Sequence, residues 1–105
     1  MRDVEGKTLY AEAWPGNSTF MDFLNTNAQE FWMDQFPKFE GTNHLFYAWN
    51  DVNDPCVFNG PLKTMPVQFQ HIQKDGTVVL HRDVHNAYGT LEHWSSYRGI
   101  MKRDG

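Results

Sequence analysis

The stretch "LFYAWNDVNDP", Leu45 to Pro55, decides how the rest of the chain is read. Its first half, Leu45-Phe46-Tyr47-Ala48-Trp49, is apolar without alternation. A short continuous run of that kind predicts a strand covered on both faces, as in a parallel sheet. The run then turns polar, with Asn50, Asp51, Asn53 and Asp54 ahead of Pro55. In α/β barrels the chemistry sits on loops at the C-terminal ends of the strands, so Asp51 is a candidate catalytic acid. The alternative for an Asp in this place is a turn residue that bonds the local backbone.

Upstream, "NTNAQEFWMDQFPKFE" predicts a helix from Ala28 to about Phe36. Asn27 and Glu30 make a capping-box-like start, Ala28, Phe31, Trp32 and Phe36 share a face, and Pro37 stops it. Gly41-Thr42-Asn43 then turns the chain into the Leu45–Trp49 strand. Downstream, residues 51–83 carry Pro55, Gly60, Pro61 and Pro66 without a helical period. A connection of that length in a compact domain is usually functional. Within it "VQFQHIQ" and "TVVLHR" flank Lys74-Asp75-Gly76, a β-hairpin with Gly76 supplying a positive φ. A second helix is expected from Asn86 to Met101, with Ala87, Leu91, Trp94 and Met101 along one side, Lys102 and Arg103 suiting its C-terminal dipole, and Gly105 as a stop.

The predicted order is helix, strand, long loop, helix. A lone parallel strand leaves backbone groups bare on both sides, so the pattern implies a piece of a larger α/β protein. The 105 residues, 40% hydrophobic and 15% aromatic, are the size of one small domain. A net charge of -4, with no basic cluster beyond Lys102-Arg103, excludes a nucleic-acid partner. No apolar run approaches the ~18 residues that span a bilayer, and no membrane partner is expected. Cys56 is the single cysteine, expected as a small packed residue. Asn17-Ser18-Thr19 is an N-glycosylation triplet, meaningful only in a secretory compartment.

Trp49-Asn50-Asp51-Val52-Asn53-Asp54-Pro55 resembles the W-x-D-M-N-E-P signature of glycoside hydrolase family 31, the α-glucosidase family. The resemblance extends in order through "WPG" (Trp14–Gly16), "DF" (Asp22-Phe23), "FEGTNHLF" (Phe39–Phe46), "VFNGP" (Val57–Pro61), "TMP" (Thr64–Pro66) and "HRDVHNAYG" (His81–Gly89). It covers nearly the whole chain. It implies an α/β fold, a partial (β/α)8 TIM barrel segment around the fourth strand, its long loop and the following helix. A complete barrel needs ~250 residues, so residues 1–105 are expected to be one part of a catalytic barrel.

The resemblance makes Asp51 the catalytic nucleophile, with Trp49, Val52, Phe20 and Asp22 near the first sugar subsite. It supplies the acid/base carboxyl from a later strand, and Asp54, standing for the Glu of N-E-P, is a loop-structuring group. It implies an oligosaccharide or glycan substrate and no metal or organic cofactor. The glucose-trimming branch of the family, which acts on N-linked glycans in the endoplasmic reticulum, adds a non-catalytic beta subunit. Met21, Val52, Asp54 and Cys56 depart from the usual Pro, Met, Glu and Ser. These bear on substrate preference more than on reaction type, and Leu62 and Lys63, which depart from an acidic-apolar pair, bear on the outer subsites.

Two other classes fit some of the same residues. His81, Asp83 and His85 on an extended segment would share one face and offer a metal-ligand set. A non-catalytic carbohydrate-binding remnant would keep Trp49 and Phe20 without turnover.

Overall fold

The computed structural model describes residues 1–39 and 47–105. Its elements are β1 (Ala11–Ala13), β2 (Gly16–Ser18), α1 (Thr26–Met33), α2 (Gln35–Lys38), a 3-10 turn at Pro61–Lys63, β3 (Gln70–Ile72), β4 (Val78–Leu80) and α3 (His81–Asp104). β1 pairs antiparallel with β2, and β3 with β4. Among the described residues no parallel strand pair occurs, which corrects the expectation of a parallel strand where it can be checked. Tyr47, Ala48 and Trp49 form no strand, with Tyr47 96% and Trp49 85% exposed. No described strand lies beside them. Leu45, Phe46 and the Gly41-Thr42-Asn43 turn lie outside the described residues.

The hairpin forms where "KDG" predicts it. Gln70 faces Leu80, His71 faces Val79 and Ile72 faces Val78. Gln73 N–H donates to the Thr77 carbonyl at 2.9 Å across the turn, and Gly76 takes a φ of 87° that a side chain would resist.

The first helix begins two residues earlier than Asn27 suggests as its cap: the Asn25 side chain accepts the Asn27 N–H at 3.0 Å. It breaks at Asp34 because Pro37 has no N–H to give the Met33 carbonyl, and α2 resumes as a single turn containing that proline. Trp32 turns inward, whereas Phe31 stands 59% exposed.

α3 starts at His81, five residues before the sequence pattern suggests. Its cap residue, Leu80, has no side-chain acceptor. The first amides are instead held by the segment that leads into β3: His81 N–H donates to the Phe69 carbonyl at 2.8 Å and Arg82 N–H to the Val67 carbonyl at 2.9 Å. Asp83 in the first turn and Lys102 and Arg103 in the last suit the helix dipole. Gly105 closes the helix at φ 98°.

Two packed regions result. Leu9, Ala11, Val57 and Met65 form one core, with Met1, Phe20 and Phe69 against it. In the other, α1 and α2 pack on α3: Phe23 meets Trp32 and Tyr88 edge-to-face at 5.5 and 5.4 Å. There the indole N–H of Trp32 donates to Ser96 Oγ at 2.9 Å. Cys56 is half-buried and free.

Candidate active site

Asp51 begins a tight, strained loop. Its Oδ1 accepts the Val52 N–H at 2.9 Å, and the Cys56 N–H donates to the Val52 carbonyl at 3.1 Å. Between these bonds Val52 takes a φ of 50°, a left-handed conformation that β-branched residues avoid. Such strain persists only where surroundings over-determine it, and it gathers at functional sites.

The surroundings are the flank of α3. Asn50 Nδ2 donates to Glu92 Oε1 and to Ser96 Oγ, both at 3.0 Å. Next to Asp51 on its other side, the Asn53 backbone lies against Gly89, where a Cβ would stand 2.7 Å from the Asn53 carbonyl oxygen. Asp51 is thereby held between two anchors on one helix, one turn apart. Burial pushes the Glu92 carboxyl above the usual range, with the Asn50 hydrogen bond and His93 opposing. Glu92 is therefore a brace for Asn50.

A cavity of about 180 Å³ brings Asp51, Val52 and Phe20 together with Trp32, Tyr88 and Glu92. A wider cleft on the other side of the loop joins Asp51 through Asp54 to His85 and Gly89. Asp51 and Asp54 are both exposed. Trp49 stands in solvent and lines neither space. Asp22 is 9% exposed and lines neither of them. Its Oδ2 accepts the Ile72 N–H at 2.7 Å, and its Oδ1 lies 2.7 Å from His71 Nδ1. Burial pushes the Asp22 carboxyl up, but the His71 bond and charge and the Ile72 amide outweigh it and hold it below the usual range.

His81, Asp83 and His85 are not an extended metal triad. They lie in the first turns of α3, so His81 and His85 share a face and Asp83 points elsewhere, exposed beside Arg82 with Oδ1 3.6 Å from Nε. His81 Nε2 and His85 Nδ1 face each other at 2.8 Å, aimed at one another and not at a common point. Among the described residues no group of three His, Cys, Asp or Glu side chains converges as metal ligands do.

Asn50, Glu92, Gly89 and His71 are the site-supporting residues that motif reading passes over. The signal for Gly89 and Glu92 is their i, i+3 placement, with Ser96 at i+7, on one helix face, which lets a loop approach closely.

Known proteins resemble this chain over nearly its whole length. The family description "Glycosyl hydrolases family 31 TIM-barrel domain" matches residues 1–105. A protein of Oryza sativa subsp. japonica described as a probable glucan 1,3-alpha-glucosidase is 40% identical over 105 residues, covering 98% of this chain and 11% of its own. A DNJ-bound glucosidase II alpha subunit superposes with a TM-score of 0.89 at 36% identity, covering 98% of this chain and 11% of that one. The same score and identity hold for the catalytic subunit in an ER glucosidase II heterodimer with the binding domain of its regulatory subunit. The chain thus spans about a tenth of the length of the relatives it matches (11%). On the family match over its full length, and on these likenesses, the chain belongs to glycoside hydrolase family 31, within the family's TIM-barrel domain.

Proposed function

We propose that residues 1–105 are the nucleophile-bearing segment of a retaining α-glucosidase barrel, around its fourth strand, with Asp51 as the nucleophile. The observation that carries this reading is the fastening of the Asp51 loop: Asn50 to Glu92 and Ser96, and Asn53 against Gly89. Nucleophilic catalysis needs a carboxylate fixed beside the anomeric carbon before the substrate arrives, because orientation supplies much of the rate.

In the reaction, an Asp51 oxygen attacks the anomeric carbon as the glycosidic C–O bond breaks, and a carboxylic acid protonates the departing oxygen. Water then attacks the glycosyl-enzyme ester, giving its proton to that same group, and the sugar leaves with retained configuration. The two carboxyl groups must lie about 5–5.5 Å apart. Glu92 reaches the same cavity but is committed to Asn50, so the acid/base is assigned to a strand outside residues 1–105. Phe20 and Val52 form apolar walls of the first sugar subsite, and Asp54 shapes the loop. Trp49 and Asp22 belong to the wider subsite region, Trp49 meeting sugar C–H groups once the rest of the barrel covers it.

The substrate class is an α-glucosylated oligosaccharide. Similarity to glucosidase II supports trimming of glucose from N-linked glycans in the endoplasmic reticulum lumen, with a non-catalytic regulatory subunit as partner. The test is turnover by the intact protein against Asp51→Asn. The amide fills the same space but cannot attack, so kcat should fall by several orders of magnitude with substrate binding largely kept. Near-normal kcat in Asp51→Asn would assign the nucleophile elsewhere.

A further inference from the structure

Behind the loop, four side chains from three parts of the chain form one hydrogen-bonded line. Asp22 Oδ1 meets His71 Nδ1 at 2.7 Å, His71 Nε2 meets His81 Nδ1 at 2.9 Å, and His81 Nε2 meets His85 Nδ1 at 2.8 Å. His71 and His81 are fully buried, whereas His85 is half-buried and opens into the cleft lined by Asp51, Val52, Asn53 and Asp54. Both nitrogens of each buried ring are engaged, and among the described residues no buried side-chain polar atom lacks a partner.

The line has two resting arrangements. Asp22 is a carboxylate that also accepts the Ile72 and Leu24 amides, so His71 must carry hydrogen on Nδ1. With His71 neutral, its Nε2 accepts. His81 then carries hydrogen on Nδ1, His85 carries hydrogen on Nδ1, and a lone pair remains on His85 Nε2. When a proton binds that lone pair, His85 passes its Nδ1 hydrogen to His81 Nε2. His81 passes its own Nδ1 hydrogen to His71 Nε2, and every bond in the line reverses direction except the one to Asp22. The added charge then lies on His71, against the Asp22 carboxylate.

We propose that His85, His81, His71 and Asp22 form a proton relay: a proton taken from the cleft at His85 is stored on His71 beside Asp22 and returned by the same route. The charge does not rest on the middle ring. Burial first, then repulsion from His71 and His85, lowers the His81 pKa to about 4. The relay lets the cleft beside Asp51 exchange a proton without keeping a positive charge at its wall. Other charged or titratable groups facing the line are few. They are the Met1 amino group near Asp22, Tyr88 with its ring 6.2 and 6.1 Å from His71 and His81, Glu92 near Tyr88, Asp51 and Asp54 across the cleft, and Arg82 and Asp83 on the first turn of α3. The inference stands on this geometry whatever the role of Asp51.

The test is a titration of imidazole nitrogen-15 shifts in the intact protein labelled at histidine, beside His85→Asn. The relay requires Nδ1–H tautomers at all three rings above the transition. Below it, His71 is doubly protonated and His81 and His85 are Nε2–H tautomers, all three changing at one shared midpoint. In His85→Asn that joint change should disappear, since the entry nitrogen is gone. Three separate midpoints, a doubly protonated His81, or an unchanged joint transition in His85→Asn would overturn the relay.

Discussion

A Cβ on Gly89 would stand 2.7 Å from the carbonyl oxygen of Asn53, so helix α3 and the loop carrying Asp51 touch backbone to backbone. No ordinary Cβ contact is that short, and the nearest atom is backbone, which cannot swing aside. Gly89→Ala should push residues 51–54 off the helix and misplace Asp51. The expected result is a fall in kcat of roughly a hundredfold in the intact protein, the scale of an ~1 Å misplacement. Steady-state kinetics check it, with hydrogen exchange showing α3 still folded.

The Asn50 anchor predicts a graded pair. Asn50→Ala removes both bonds to α3 and leaves the half-buried Glu92 without its donor, costing about 1–3 kcal/mol locally. Glu92→Gln still offers an oxygen to Asn50, so it should disturb the loop much less. Hydrogen exchange over residues 50–56 in the two variants, measured beside kcat, distinguishes a brace from a proton donor. A brace makes Glu92→Gln nearly active.

Gly99 plays the same part at the far end of the helix. A Cβ there would press into the ring of Phe36. A ring can shift where a carbonyl cannot, so Gly99→Ala should overpack the α2–α3 contact and cost about 1–3 kcal/mol. The loss should appear as faster exchange of α2 amides, with the Asp51 loop unaffected.

The hairpin is legible from Lys74-Asp75-Gly76, since only a turn with a positive φ suits that Gly between two β-rich runs. The loop is legible as a motif from Trp49 to Pro55. The start of α3 is not, because its caps are the carbonyls of Phe69 and Val67, which any residue type could supply. For the same reason His81, Arg82 and His85 read as extended, and the line from Asp22 to His85 stays hidden until the hairpin sets His71 beside the helix. Gly89 and Gly99 look like helix weaknesses in sequence, and only packing shows them to be clearances. Tyr47 to Trp49 read as a buried strand from composition alone, whereas the described residues offer no strand to pair with them.

His81 also sets a pH dependence. Its folded pKa of about 4 lies below its ordinary value of 6.5, so between these values the unfolded first turn of α3 binds more protons than the folded one. The contribution is full above about 6.5 and is lost as pH falls toward 4. Exchange protection of the His81 and Arg82 amides, corrected for intrinsic rates, should therefore drop by up to about tenfold per pH unit below about 6.5. In His81→Gln the drop should flatten.

The central claim is that Asp51 forms the covalent bond to the sugar, and a slow fluorinated α-glucosyl substrate with an activated leaving group tests it on the intact protein. Fluorine destabilises the oxocarbenium-like transition states, and the good leaving group lets formation of the glycosyl-enzyme outrun its hydrolysis. Mass spectrometry of the digested adduct should find one glycosyl group on Asp51, with labelling retained in Asp54→Asn. A glycosyl group on Asp54, or inactivation that leaves this peptide unmodified, would contradict the account.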